Sequence, residues 1–285
     1  MLLAVVAMAA LFCQFTLYVA RRVPGDVPRE VYPAAEWRTA AIRASDGAEM
    51  KAWFVRPRAR SGSGRCVAVL HGVGDSRLGA EGFAGMLLDA GYSVLLPDSR
   101  GHGESGGEFV TYGLLERSDA IGWAHWMRGQ GCTEIYGLGE SLGASILIQA
   151  SAVEPVFRAI AAECPFADLS AAGEERMRRM LPLRGPAASG VSWFVVASGI
   201  AYARVRYGLD FRQVNPVAAM RRTQTPILLI HGTADERTPF WHSQRLAQAS
   251  PRAVLWLVPG AGHVRASAAD PAGFRQRVLG WFAAH

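Results

Sequence analysis

The chain has 285 residues, half of them hydrophobic and 19% charged, which suits one α/β domain with an elaboration, or at most two small domains, and argues against a disordered protein. Its formal net charge of +6 is carried almost wholly by arginine, because Lys51 is the only lysine. No basic run with interleaved aromatic residues occurs. The charge therefore indicates weak attraction to anionic lipid and argues against a nucleic-acid partner.

The first 20 residues contain no charged side chain. As a helix they would extend roughly 30 Å, the thickness of a bilayer core, so we predict a transmembrane anchor over residues 1–22. A cleaved signal peptide is the alternative, but no basic residue precedes the run and Tyr18 does not suit a cleavage site. Arg21 and Arg22 follow the run, and the positive-inside rule would leave the rest of the chain in the cytoplasm. Residues 23–35, with three prolines and a glycine, are predicted to be a linker.

The four cysteines, Cys13, Cys66, Cys132 and Cys164, lie far apart in the chain. They form no C-x-x-C pair, and no histidine stands at metal-ligand spacing from them. We therefore expect neither a zinc site nor a disulfide framework, and we expect three of the four to lie in or beside core strands. Unpaired cysteines agree with a cytoplasmic location.

Short apolar runs alternate with helical segments over residues 36–285, the predicted main domain. Strands are predicted at 37–44, 50–56, 66–70, 92–96, 133–136, 159–163, 226–230 and 253–258. The first two form an antiparallel pair, and the alternation that follows predicts a mostly parallel eight-stranded sheet flanked by helices. The alternation breaks at about residues 170–216, which we predict to be a helical cap inserted over the active edge of the sheet.

A Gly-x-Ser-x-Gly sequence, Gly139-Glu140-Ser141-Leu142-Gly143, stands between a predicted strand and a predicted helix. In that context the pattern is typical of a nucleophile elbow, where the serine occupies a sharp, strained turn and its neighbours two residues away must lack bulk. Ser141 would then present its hydroxyl above the sheet at the N-terminus of a helix, where the helix dipole favours a developing negative charge.

A serine hydroxyl needs a base to take its proton and a carboxylate to orient that base. Asp235 follows the strand at 226–230, and His263 follows the strand at 253–258. In a parallel sheet these loops and the serine turn share one edge, so the three side chains can converge. Asp168 is the other candidate for the acid, because it also follows a strand on that edge.

These motifs together resemble those of the α/β-hydrolase superfamily. The motifs are His71-Gly72, the run Asp98-Ser99-Arg100-Gly101-His102-Gly103-Glu104-Ser105, the Ser141 pentapeptide, His231-Gly232-Thr233-Ala234-Asp235 and Gly262-His263. The likeness is greatest to the branch of membrane-anchored, esterase-like and prolyl-oligopeptidase-like serine hydrolases. It implies an α/β-hydrolase fold, with Ser141 as nucleophile, His263 as general base and then acid, and Asp235 as the orienting carboxylate. The backbone N–H groups of Val73 and Leu142 would form the oxyanion hole.

The resulting prediction is a serine hydrolase that cleaves a carboxylic ester or related acyl bond of a small substrate through an acyl-enzyme, without metal or cofactor. A serine peptidase is the nearest alternative, and Glu174 or Glu175 on the cap would favour it by holding a substrate amino group. A catalytically silent, membrane-tethered binding protein is the alternative from another class. Trp193, Phe194 and their apolar neighbours on the cap are expected to line an acyl pocket.

Overall fold

The structure, a computed structural model, describes residues 2–26, 32–58 and 64–285, with side chains from residue 6 onward. Part of the predicted linker, residues 27–31, lies outside the described residues.

Eight strands form one sheet. They are β1 (Ala35–Arg43), β2 (Glu49–Pro57), β3 (Arg65–Leu70), β4 (Ser93–Pro97), β5 (Glu134–Glu140), β6 (Ile160–Glu163), β7 (Ile227–Gly232) and β8 (Ala253–Val258). Their order across the sheet is β1-β2-β4-β3-β5-β6-β7-β8. β1 pairs antiparallel with β2, and β2 pairs antiparallel with β4, whereas β4, β3 and β5 to β8 run parallel. The predicted mostly parallel eight-stranded sheet is confirmed.

Helices cover both faces of the sheet. They are α1 (Leu2–Leu17), α2 (Arg77–Ala80), α3 (Ala84–Asp89), α4 (Glu116–Gly129), α5 (Leu142–Ser151), α6 (Leu169–Met180), α7 (Gly185–Tyr207), α8 (Pro216–Arg222), α9 (Trp241–Ala249), α10 (Ala266–Ala269) and α11 (Pro271–Ala284). The strand β3 shows why two layers form: alternate side chains such as Val67 and Ala68 belong to different hydrophobic clusters. A strand buried on both faces has to be apolar at successive positions, as residues 66–70 of this one are.

The helices α6 and α7 occupy the interruption between β6 and β7, within the segment predicted to be a cap. α1 packs against α7, where the thiol of Cys13 donates a hydrogen bond to the carbonyl oxygen of Gly199 at 3.2 Å. Cys13 and Leu17 are buried in the main hydrophobic cluster. The N-terminal helix is therefore part of the packed domain.

The predicted spanning anchor is not supported. α1 has 16 residues, which extend about 24 Å at the rise of an α-helix and fall short of a bilayer core of roughly 30 Å. Among the described helices, α7 alone is long and apolar enough to cross a membrane by length and composition, and a third of its apolar window is buried in the protein.

The expectation that no disulfide forms is wrong. Cys66 and Cys132 are joined by a disulfide, whereas Cys13 and Cys164 are free and buried. Cys66 lies in β3, and Cys132 lies two residues before β5, the strand that pairs with β3. The link therefore joins neighbouring strands at the edge opposite Ser141, and the argument for a reducing compartment no longer holds.

Candidate active site

Ser141 occupies a sharp turn between β5 and α5, with φ of 49° and ψ of −104°. The two glycines of the motif are required by close approaches of the backbone. A Cβ at Gly139 would collide with the backbone nitrogen of Ala144, and a Cβ at Gly143 would collide with the carbonyl oxygen of Leu70. The turn thus has the strained geometry of a nucleophile elbow.

The structure brings the three predicted side chains together. Nε2 of His263 lies 3.0 Å from Oγ of Ser141, and Nδ1 of the same ring lies 2.7 Å from Oδ2 of Asp235. The side chain of Asp235 is fully buried, and that of His263 is 13% exposed. A proton can therefore pass from Ser141 to His263 while the carboxylate holds the ring in place.

The carboxylate of Asp235 is held in its charged form. Oδ1 accepts the backbone N–H groups of Arg237 and Thr238, each at 2.9 Å, and Nε2 of His231 lies 3.2 Å from Oδ2. Burial acts to raise the pKa of Asp235, but hydrogen bonds from His231, His263 and Thr238 outweigh it and hold the pKa far below its usual range. These contacts give His231 a structural role beside the carboxylate.

The two predicted oxyanion donors border the cavity beside Ser141. Val73 and Leu142 both line it, and within the described residues neither backbone N–H donates a hydrogen bond. Leu142 is the first residue of α5. Its N–H therefore has no partner within the helix and lies at the positive end of the helix dipole. These free donors can receive an oxygen that becomes negative next to Ser141.

Two buried histidines shape the loop that carries Val73. Nε2 of His71 accepts the N–H of Ser99 at 3.0 Å, and Nε2 of His102 accepts the N–H of Gly74 at 3.0 Å. Each Nδ1 lies within hydrogen-bond distance of a backbone carbonyl. Burial lowers the pKa of His71, and burial together with His71 lowers the pKa of His102 to about 4. Both rings therefore stay neutral and brace the loop.

Backbone strain is concentrated around the site. The described residues other than glycine with positive φ are Tyr112, Ser141, Cys164 and Val264. Tyr112 lines the cavity beside Ser141. The backbone N–H of Val264 donates a hydrogen bond to Sγ of Cys164 at 3.5 Å. The last contact holds the loop of His263 against the end of β6. Strained backbone of this kind persists where the surrounding structure imposes it, and it gathers at functional sites.

A cavity of about 510 Å³, the Ser141 cavity, opens beside Ser141 and His263. Its wall includes Phe12 and Thr16 of α1 and three arginines, Arg176 and Arg179 of α6 and Arg237 of the loop after β7. None of these side chains was predicted to belong to the site. The spacing of three residues, which places Arg176 and Arg179 on one face of a helix, was the signal present in the sequence. Nothing in the sequence indicated α1.

An apolar side pocket of about 40 Å³ adjoins this cavity between α1, α6 and α7, and Phe12 and Thr16 line both. On α7, Val196 and Ile200 line the side pocket, whereas Trp193 and Phe194 are 60% and 43% exposed. The expectation that Trp193 and Phe194 line an acyl pocket is therefore wrong. They occupy the solvent side of α7, because the buried side faces α1 and α6.

The other acidic candidates serve structural roles. Oδ1 of Asp168 accepts the N–H of Ala171 at 3.0 Å and so caps α6. The carboxylate oxygens of Glu175 lie 3.1 Å from Nε1 of Trp241 and 3.1 Å from Nε2 of His242. Within the described residues, the wall of the Ser141 cavity contains no aspartate or glutamate.

One group of side chains has donor atoms close enough for a metal ion: Cys164, His231 and Asp235 lie within 4.8 Å of one another. Its members are already engaged, because Asp235 bonds His263 and Nδ1 of His231 lies 2.6 Å from Oγ of Ser243. Burial, reinforced by Glu163 and Asp235, raises the pKa of the Cys164 thiol, which opposes the thiolate that a metal needs. The donor set is explained by hydrogen bonding alone.

Comparisons with known proteins agree with this architecture. An uncharacterised protein of Bacillus subtilis (strain 168), YqkD, is 26% identical over 261 residues, which cover 85% of this chain and 81% of that protein. An uncharacterised protein of Mycobacterium tuberculosis (strain H37Rv), Rv2307c, is 32% identical over 248 residues, covering 84% of this chain and 76% of that protein.

Two solved structures share the fold. The esterase Pf2001 of Pyrococcus furiosus matches with a TM-score of 0.74 at 24% identity, over 93% of this chain and 98% of that one. Est1E of Butyrivibrio proteoclasticus, solved with ferulic acid bound, matches with a TM-score of 0.63 at 18% identity, over 86% and 99% of the two chains. A family model described as the alpha/beta hydrolase family matches residues 67–277, from β3 to α11. The chain therefore belongs to the alpha/beta hydrolase family.

Proposed function

We propose that this hydrolase is a serine esterase that cleaves a carboxylic ester of a small substrate through an acyl-enzyme intermediate. The observation that carries the proposal is the continuous line of hydrogen bonds from Asp235 through His263 to Ser141, with distances of 2.7 Å and 3.0 Å. Its position beside a cavity of about 510 Å³ gives a substrate access to the serine. The esterases among the structural relatives support the same class of reaction.

In the first half of the reaction, Oγ of Ser141 forms a bond to the ester carbonyl carbon, and its proton moves to Nε2 of His263. The carbonyl oxygen becomes negative and accepts hydrogen bonds from the N–H groups of Val73 and Leu142. The bond to the alcohol oxygen then breaks, and His263 returns the proton to that oxygen. The alcohol leaves and the acyl group remains on Ser141.

In the second half, water replaces the alcohol. His263 takes a proton from the water as its oxygen bonds to the acyl carbon, and the bond to Ser141 then breaks with the proton returned to Oγ. Asp235 stays charged throughout and stabilises the imidazolium that forms twice. No metal or cofactor enters these steps.

The peptidase alternative has less support. It needs a carboxylate that can hold a substrate amino group, and within the described residues the wall of the Ser141 cavity has none. Glu175, one of the two predicted candidates, contacts Trp241 and His242.

The test uses the full chain with a fluorophosphonate probe, a series of 4-nitrophenyl esters and aminoacyl 4-nitroanilides. We expect labelling and ester hydrolysis in the wild type and neither in Ser141→Ala, with the melting temperature nearly unchanged. Losing a nucleophile of this kind costs on the order of 10⁶-fold in kcat. Hydrolysis of anilides over esters would favour the peptidase, and an unlabelled, folded wild type would favour a silent binding protein.

A second proposal concerns location: the chain attaches to a membrane surface through α1 and α7. The support is the exposed apolar side chains of Leu11 and Phe15 on α1 and of Trp193 on α7, together with Arg204 and Arg206 in the last turn of α7. Apolar side chains beside arginine suit an anionic lipid surface. Cofractionation with membranes that detergent reverses would support attachment, and a fully soluble chain would contradict it.

For the side of the membrane, we now propose an oxidising compartment, in place of the cytoplasm. The two arginines behind the earlier prediction are engaged in the domain: Arg21 donates to the carbonyl oxygens of Ser105 and Gly107, and Arg22 pairs with Asp75 at 3.2 Å. The disulfide favours the oxidising side. The test is a C-terminal fusion to a reporter that is active only in the cytoplasm. We expect no reporter activity, and activity of the fusion would overturn this proposal.

A further inference from the structure

Three arginines line the same cavity as Ser141 and His263: Arg176 and Arg179 of α6, and Arg237 of the loop after β7. Within the described residues no aspartate or glutamate lines this cavity. Three positive groups thus line the space that a substrate has to enter, and no carboxylate shares that wall within the described residues.

The contacts of these arginines leave their charge uncompensated. The guanidinium of Arg179 donates to the carbonyl oxygens of Glu236 at 2.7 Å and of Arg237 at 2.8 Å, which fixes its position without cancelling its charge. In the part of the chain that the structure describes, the guanidinium groups of Arg176 and Arg237 form neither an ion pair nor a hydrogen bond.

Nearby carboxylates are directed elsewhere. Glu175 of α6 contacts Trp241 and His242. Arg237 also borders a second cavity, which His263 lines too and whose wall contains Asp75, Glu140 and Glu236. It pairs with none of them within the described residues. The positive character of the Ser141 cavity is therefore not a by-product of an ion-pair network.

Like charges held in one cavity repel each other, and a bound anion removes that repulsion. A guanidinium has a planar set of donors that matches the two oxygens of a carboxylate or phosphate, and such charge-assisted bonds are stronger than neutral ones. Arginines around a partly enclosed cleft also raise the local concentration of anionic molecules. A structural role would instead place these guanidinium groups against carboxylates.

We propose that the substrate carries an anionic group, a carboxylate or a phosphate, which Arg176 and Arg237 bind in the Ser141 cavity while Arg179 adds positive charge from its fixed position. The inference extends the proposed esterase function by naming the class of ester. The anion site itself does not depend on that function.

The first experiment measures binding without turnover, on the full chain carrying Ser141→Ala. Two matched pairs are titrated by calorimetry: monomethyl glutarate against dimethyl glutarate, and 3-acetoxybenzoate against its methyl ester. The pairs place the carboxylate on the acyl side and on the alcohol side of the ester. We expect the anionic member of at least one pair to bind about tenfold more tightly, and high salt to reduce the preference.

Matched variants assign the effect to the cavity. Arg176→Gln and Arg237→Gln, each combined with Ser141→Ala, are expected to remove most of the anion preference. Arg178→Gln is the control, because Arg178 lies on the same helix but lines a separate pocket. A loss of preference in the control as large as that in Arg176→Gln would show a general charge effect and overturn the inference. Equal or tighter binding of the neutral esters in both pairs would overturn it as well.

Competition experiments identify the anion. Displacement of the bound ester by glutarate indicates a carboxylate site, displacement by inorganic phosphate indicates a phosphate site, and displacement by neither contradicts the inference. Turnover of the same pairs by the wild-type chain separates the two proposals. Anion preference without hydrolysis would refute the esterase proposal and support the anion site. Hydrolysis without anion preference would support the esterase proposal and refute the anion site.

Discussion

Asp235 and His263 are joined by a hydrogen bond of 2.7 Å between Oδ2 and Nδ1, and the carboxylate that accepts it is fully shielded from solvent. Asp168, the other acid considered from sequence, is used to cap α6. The two carboxylates follow neighbouring strands of the sheet, but Asp235 contacts His263 whereas Asp168 caps a helix.

We predict that Asp235→Asn lowers kcat on the order of 10⁴-fold at neutral pH, because an amide neither stabilises the imidazolium nor holds the required tautomer of His263. Asp168→Asn is the matched control, since asparagine also caps helices well. It should change kcat little. Steady-state kinetics on one ester, with circular dichroism to confirm folding, makes the comparison. The reverse order of effects would move the acid to Asp168.

A second prediction concerns the wall that α1 contributes. Phe12 lines both the Ser141 cavity and the apolar side pocket, so Phe12→Ala should enlarge the acyl site and shift the optimum of kcat/KM to longer acyl chains. Each methylene that becomes buried adds up to about 0.8 kcal/mol of binding. Phe15→Ala on the same helix is the control, because Phe15 is 70% exposed. An unchanged profile in Phe12→Ala would exclude Phe12 from the acyl site.

A third prediction uses the pH dependence of stability. Glu163 is fully buried, with Oε1 accepting the N–H of Ala266 at 2.9 Å and Oε2 without a partner among the described residues. Burial raises the pKa of this carboxyl to about 7. Between its ordinary value of about 4.3 and pH 7, the folded protein keeps a proton that the unfolded chain has lost. The free energy of unfolding therefore falls as pH rises through this range.

The glutamine in Glu163→Gln cannot ionise and keeps an acceptor for the N–H of Ala266. The melting temperature of the variant minus that of the wild type should therefore increase from about pH 5 upward and become constant above about pH 8. Calorimetry across pH 5 to 9 measures the difference. Glu36→Gln, at an exposed position on β1, is the control and should show no such trend. A difference that shrinks as pH rises would contradict the assignment.

A fourth prediction concerns the disulfide, which closes a sequence separation of 66 residues. Removing it with Cys66→Ala and Cys132→Ala should cost about 2–4 kcal/mol of stability. Reductant should lower the melting temperature of the wild type and leave that of the double variant unchanged. Alkylation of the denatured wild type should modify Cys13 and Cys164 only. Modification of all four cysteines would show that the bond is absent.

The strands could be predicted from local sequence pattern, and the meeting of three side chains could be predicted from their positions after parallel strands. Residues 66–70 of β3 and 227–230 of β7 are apolar at successive positions, which identifies buried parallel strands. Because every loop at the carboxyl edge of a parallel sheet meets the same side, Ser141, Asp235 and His263 could be placed together without knowing the order of the strands.

The disulfide depends on the order of the strands across the sheet, which the sequence does not specify. Cys66 and Cys132 meet because β3 and β5 are neighbours, although β4 and α4 intervene along the chain. The position of α1 was missed for a related reason: an uncharged apolar helix suits a bilayer and a groove between helices equally well, and only packing distinguishes them. Gly199 makes that packing possible, because a Cβ there would collide with Phe12.

Because Phe12 and Thr16 line the Ser141 cavity, the N-terminal segment is a working part of the enzyme. Trimming the first 22 residues, a routine step when a hydrophobic leader is suspected, would remove a side of the cavity while leaving Ser141, His263 and Asp235 in place. The same cut would also remove the buried side chains of Cys13 and Leu17 from the main hydrophobic cluster. A protease that cuts after α1 would therefore alter the wall of the cavity without touching Ser141, His263 or Asp235.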